Sequence, residues 1–250
     1  MTQLPAGATW HPAPSSFTAA DGRPTIALVL PGGGYSMHAP HEGVGYLPWL
    51  HGAGIGAVVF AYPIAPHRHP EPVVATRALL SAMRSGTVDG LPRDARIVVV
   101  GSSAGGHLAT LLASAPTPAE QDAGGDTDRP DAVVLCYPVT SMTEQPHRGS
   151  VDALLGGESS IWTRATVDAY LLVDGMTPPT FLWHTADDGG VHVAHSLDYA
   201  RALSRRRIPF ELHVFECGEH GAGLATGVGP VEAWSDLATR WLEDRGLARR

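Results

Sequence analysis

The chain has 250 residues, 44% of them hydrophobic, enough to bury one sizeable α/β core. Its 17 basic residues stand against 25 acidic ones, a formal charge of −8, and no basic run exceeds Arg205-Arg206-Arg207, which excludes nucleic acid and anionic membrane surfaces as partners. Two cysteines, Cys136 and Cys217, are too few for a disulfide framework and lack metal-ligand spacing, and no apolar stretch approaches the roughly 20 residues that span a bilayer.

Residues 1–24 read as an irregular N-terminal extension. Residues 1–7 combine neither a basic start nor an apolar core, so no secretory signal is expected and the expected location is cytoplasmic. Residues 25–30 form the first of six short apolar runs and end in Pro31-Gly32-Gly33-Gly34-Tyr35. Helical spacing follows over 42–52, then a strand over 56–61, a helix over 71–83, a strand over 96–100 and a helix over 104–114. Residues 115–130, rich in Pro, Gly, Asp and Thr, read as a surface excursion before a strand over 132–137. Between 141 and 179 the rhythm breaks. An amphipathic stretch at 162–172 fits either a cap over the sheet's carboxyl edge or a crossover helix with long loops. Strands over 180–184 and 210–215 alternate with helices over 194–207 and 231–244.

The apolar runs are continuous rather than alternating, as parallel strands covered on both faces should be. Strand and helix in alternation predict one α/β domain over 1–250, built on a mostly parallel sheet with right-handed crossovers and helices on both faces.

Chemistry enters at Gly101-Ser102-Ser103-Ala104-Gly105, directly after an apolar strand and directly before a helix. This is the arrangement of a nucleophile elbow, in which small neighbours permit a strained turn that lifts the Ser103 hydroxyl above the sheet. A serine is a weak nucleophile until a base takes its proton, and the base needs an orienting acid. Asp187 and Asp188 follow the strand at 180–184, at the edge where ligands bind in open α/β sheets. Thirteen histidines make position the discriminator. Only His220, in the loop Gly218-Glu219-His220-Gly221, follows the acids and lies beyond a strand's carboxyl end. The glycines after the first strand suggest an oxyanion hole from the Gly33 or Gly34 amide together with that of Ala104. Neither GxGxxG nor a P-loop ending accompanies them, and no HExxH pattern accompanies His38/His41 or His192/His195, so neither cofactor nor metal is expected.

With Tyr62-Pro63-Ile64-Ala65-Pro66 and the segment 181–203, these motifs resemble the single-domain acetyl-xylan esterase-like α/β-hydrolases, related to the hormone-sensitive-lipase-like carboxylesterases. The resemblance runs from about residue 27 to 242. It implies an α/β-hydrolase fold, with Asp188 as the acid, because the family follows its acid two residues later with Val-Pro. Here His192 replaces that proline, and Pro31 stands where lipase-like relatives carry histidine. The resembling motifs also make Tyr35, Ser102 and His107 candidate substrate contacts.

The expected activity is a serine esterase that cleaves small acyl esters, chiefly acetyl, on carbohydrates, through Ser103, His220 and Asp188. The expected partner is a small-molecule ester, bound by a monomer or homodimer. Rival readings are an amidase, such as an aryl-formamidase or small peptidase with the same triad, and a non-catalytic binding protein on the same fold.

Overall fold

Small and β-branched apolar residues fill the central strands because each must pack helices against both of its faces. In the computed structural model, which describes residues 2–19 and 21–249, seven strands form one sheet. They are β1 (Ala8–His11), β2 (Thr25–Leu30), β3 (Gly56–Phe60), β4 (Arg96–Ser102), β5 (Ala132–Cys136), β6 (Thr180–Thr185) and β7 (Phe210–Phe215). Their order is β1-β3-β2-β4-β5-β6-β7, with β1 antiparallel to β3 and every other pairing parallel. The N-terminal stretch is therefore not wholly irregular, since Ala8–His11 covers the edge that β3 would otherwise expose. At the other edge β7 has a single neighbour, and its side chains are half-buried or exposed rather than enclosed.

Alternate residues of each central strand enter two separate cores. Ile26, Leu28, Ile97, Val99, Val133 and Leu182 pack with α2 (Glu71–Arg84), α3 (Ser103–Ala113) and α8 (Ala194–Arg206). Ala27, Val29, Val98, Val134, Phe181 and Trp183 face α1 (Leu47–Gly52) and α9 (Trp234–Asp244). Trp183 stacks on Trp234 with ring centres 5.2 Å apart, and Trp49 meets the same ring at 4.9 Å, so both fill the core while Trp162 is exposed.

Two loop regions differ from expectation. Within 115–130, α4 (Pro118–Asp122) turns Glu120 fully inward, because the buried Arg77 guanidinium on α2 requires a partner; the two meet at 2.8 Å. The single amphipathic helix expected at 162–172 is two short ones, α6 (Ile161–Ala165) and α7 (Ala169–Leu172), which follow α5 (Arg148–Leu155). The break falls at Asp168, whose buried carboxyl accepts hydrogen bonds from Ser141 Oγ, the Met142 amide and Thr143 Oγ1. No helix among the described residues is long and apolar enough to cross a membrane.

The chain leaves β2 towards β3 and returns to place β4 on β2's other side, so the strand order reverses between β2 and β4. Loops leaving the carboxyl ends of these neighbours open a crevice, which is where ligands bind in such sheets. The pairing of Leu30 with Gly101 sets the glycine turn beside the Ser103 turn. At Gly105 the backbones approach so closely that a methyl group would overlap the Leu30 carbonyl oxygen. Gly105→Ala is accordingly expected to destabilise the fold by about 3 kcal/mol, read from the urea midpoint at unchanged slope. A midpoint within experimental error of wild type would remove this constraint.

Candidate active site

Ser103 sits where β4 becomes α3, with φ at 50°, a left-handed conformation that a side chain rarely adopts and that marks a strained turn. Its Oγ lies 2.8 Å from His220 Nε2. His220, in the loop after β7, has Nδ1 2.8 Å from Asp188 Oδ2. Because the carboxylate accepts the Nδ1 proton, Nε2 is left with the lone pair that faces the serine hydroxyl. Asp188 follows β6, and Asp187 turns away from His220 to accept the Gly218 amide at 2.8 Å. The pair of aspartates thus divides into one that meets the imidazole and one that shapes its loop.

Asp188 is held firmly. Its Oδ1 accepts the Gly190 and Val191 amides at 2.8 Å each, and its Oδ2 also lies 3.2 Å from His184 Nε2. Burial by itself would raise its pKa, but the bonds from His184, His220 and the Val191 amide outweigh that and hold the carboxyl well below the usual carboxylate range. The Gly189-Gly190 turn, which lacks the family's proline, is shaped by packing, since a methyl at Gly190 would come within 2.8 Å of the His220 ring.

Ser103 and His220 open onto a cleft of about 300 Å³ lined also by Gly33, Gly34, Glu42 and His147. The Gly33 and Gly34 amides have no acceptor among the described residues, and Ala104 lies in the first turn of α3, where helix amides lack partners and the helix dipole is positive. These three expected oxyanion donors therefore flank the serine from two sides. The Gly32 amide is already engaged by Glu42 Oε2 at 2.8 Å.

Glu42, which the sequence reading placed only at a helix start, is buried beneath the cleft. Its Oε1 accepts the Tyr137 hydroxyl proton at 2.6 Å, and the Tyr137 oxygen accepts the Gly223 amide at 2.9 Å. The Tyr137 ring meets His220 edge-on with centres 5.0 Å apart. One carboxyl thereby ties together the glycine turn, the end of β5 and the histidine loop. No spacing rule flags it, because the groups it links, directly or through Tyr137, come from three separate segments; nor does any flag Tyr137, His184 or His147.

The three candidate substrate contacts are corrected. Ser102 is buried with its Oγ 2.7 Å from Tyr46 Oη. Tyr35 and His107 are buried against one another, with Tyr35 Oη 2.7 Å from His107 Nδ1 and His107 Nε2 2.8 Å from the Val167 carbonyl. The Val167 carbonyl can only accept, so His107 carries its proton on Nε2 and receives the tyrosine hydroxyl on Nδ1. Burial pushes the His107 pKa down to about 4, as suits a neutral brace between α3, the glycine turn and the 141–179 segment. In the sequence these residues flank the Ser103 and Gly33 turns, but Ser102 ends β4 facing away from its neighbour Ser103, while Tyr35 in its turn and His107 on α3 are enclosed by each other and by the 141–179 segment.

Residues 28–178, well over half of the chain, match a family described by its alpha/beta hydrolase fold. The chain belongs to that family. Among solved structures, this α/β-hydrolase is similar to an acetyl ester-xyloside bifunctional hydrolase from Caldicellulosiruptor lactoaceticus. The two are 37% identical with a TM-score of 0.84, over 97% of this chain and 89% of that one. It is also similar to a sugar hydrolase from Lactococcus lactis, at 28% identity and a TM-score of 0.73, over 98% of this chain and 96% of the other. A curated relative, endo-1,4-beta-xylanase B of Butyrivibrio fibrisolvens, is 32% identical over 212 residues, 79% of this chain. The match spans only 32% of that relative's length.

Two outcomes test the site's construction. Glu42→Gln presents an NH₂ group where two donors now converge, leaving one of them unsatisfied, and should lower the unfolding free energy by about 1–3 kcal/mol. An unaltered urea midpoint would sink the three-way tie. Asp188, with its folded pKa below the unfolded value of about 3.9, stabilises the fold above that pH and loses the contribution as pH falls towards the folded value. Melting temperature followed from pH 7 to pH 2.5 should therefore drop less steeply in Asp188→Asn than in wild type below about pH 4; parallel curves would refute the assignment.

Proposed function

We propose that this protein is a serine esterase that removes small acyl groups, chiefly acetyl, from hydroxylated alcohols of the carbohydrate class. The observation that carries the reading is the unbroken line from Ser103 Oγ through His220 to Asp188, with 2.8 Å at each step, opening on a cleft edged by free backbone amides.

His220 Nε2 removes the Ser103 proton as Oγ attacks the ester carbonyl, and the resulting oxyanion is received by the amides of Ala104 and of Gly33 or Gly34. Asp188 keeps the imidazole in the receptive tautomer and stabilises its positive charge once protonated. As the tetrahedral intermediate collapses, the C–O bond to the alcohol breaks and His220 returns its proton to the leaving oxygen. Water, deprotonated by the same base, then attacks the acyl-serine, and a second collapse frees the carboxylic acid and the serine hydroxyl. Every proton in this cycle moves on protein groups, substrate or water.

The acyl preference is supported by the cleft, whose volume of about 300 Å³ stands at the small end for ligand sites. The alcohol class is supported by similarity to the acetyl ester-xyloside hydrolase. Purified wild type should hydrolyse p-nitrophenyl acetate faster than the octanoate, and Ser103→Ala should lose on the order of 10³-fold or more in kcat/KM. Equal rates in the two proteins would remove Ser103 as nucleophile.

A further inference from the structure

Most polar side chains around the cleft are already committed. Ser36 Oγ donates to the Gly33 carbonyl at 3.1 Å, His41 Nε2 lies 2.8 Å from the Gly221 carbonyl, and Glu42 accepts from Gly32 and Tyr137. His147 differs. It precedes α5 and caps it, with Nδ1 2.8 Å from Ser150 Oγ and 3.2 Å from the Ser150 amide.

A backbone amide can only donate, so Nδ1 is the unprotonated nitrogen and the single ring proton resides on Nε2. Burial, and next the proximity of His220, push the His147 pKa below its ordinary value, which keeps the ring neutral at neutral pH. The helix cap thus selects both the tautomer and the ring orientation. Nε2–H has no acceptor among the described residues, although the ring is half-buried and lines the cleft beside Ser103.

Position identifies which half of an ester it would meet. The His147 ring lies 3.7 Å from where a side chain on Gly34 would begin, and it lines the same cleft as Ser103 and His220. His220 must return its proton to the leaving oxygen, so the alcohol half occupies the His220 side of the tetrahedral carbon. An N–H held there without a partner favours an alcohol that brings an acceptor oxygen, and disfavours an alkyl chain that would leave it desolvated and unpaired.

We propose that His147 is a specificity-determining residue whose Nε2–H donates to a hydroxyl or ether oxygen on the alcohol half, selecting esters of polyhydroxylated alcohols over those of plain alkanols. This rests on the esterase reading above. A matched pair isolates it: glycerol 1-acetate and propyl acetate share the acyl group and the three-carbon chain and differ only in two hydroxyls.

The quantity to measure is the ratio of kcat/KM for glycerol 1-acetate to that for propyl acetate, in wild type, His147→Asn and His147→Gln. Asparagine keeps an acceptor for the α5 cap but cannot reach the Nε2 position, so the ratio should fall by about three- to tenfold. Glutamine places an amide N–H near that position and should recover much of the ratio. A thermal melt confirms that each variant is folded. A ratio unchanged in His147→Asn, or a fall that His147→Gln does not recover, overturns the inference. Failure of the esterase reading shows itself differently, as wild-type turnover of both acetates that is absent or indifferent to Ser103→Ala, and that result removes the inference as well.

Discussion

The contact on which the site depends is the parallel pairing of β2 with β4, drawn so tight that Gly105 lies against the Leu30 carbonyl. Because the strand order reverses here, two turns that leave neighbouring strands are pressed together with no crossover helix between them. One turn presents the Gly33 and Gly34 amides; the other holds Ser103 in a left-handed conformation at the head of α3. Such strain persists only where the surroundings over-determine it. Here the two flanking strands and a helix enclosed on all sides provide that rigidity.

Around this junction, polar groups are buried but almost all are bonded to partners from remote segments. Glu42 joins the glycine turn to β5 and the histidine loop, and His107 joins α3 to Tyr35 and Val167, while His184 holds Asp188 locally, four residues along the same turn. Each such bond is worth little net, yet leaving any member unpaired in this low-dielectric interior is costly, so the network favours one arrangement of loops. Chemistry that needs donors and acceptors placed to within a fraction of an ångström gains from that rigidity.

The 141–179 segment gives the hydrolase sheet its particular cleft. Asp168 ties the segment together internally, the His107–Val167 bond fastens it to α3, and it places His147 in the cleft with the serine. Its amphipathic pattern is real, but the inward Asp168 divides the expected helix, since a buried carboxyl with three donors outweighs the continuation of a helical stretch.

What the sequence by itself determined is local. Apolar runs bounded by Gly, Pro and charge specify the central parallel strands, and the small residues around Ser103 specify a strained turn, because each depends on neighbours within a few positions. The loop position of His220 was legible for the same reason. The choice between Asp187 and Asp188 was not, because adjacent carboxyls at a strand end differ only in the direction they face. Neither was the inward-facing fate of Tyr35, Ser102 and His107, nor the roles of Glu42 and Tyr137, which arise from contacts between residues as much as 95 positions apart. Only the packed sheet brings such residues together, so only tertiary structure could decide which polar side chains line the cleft and which are buried behind it.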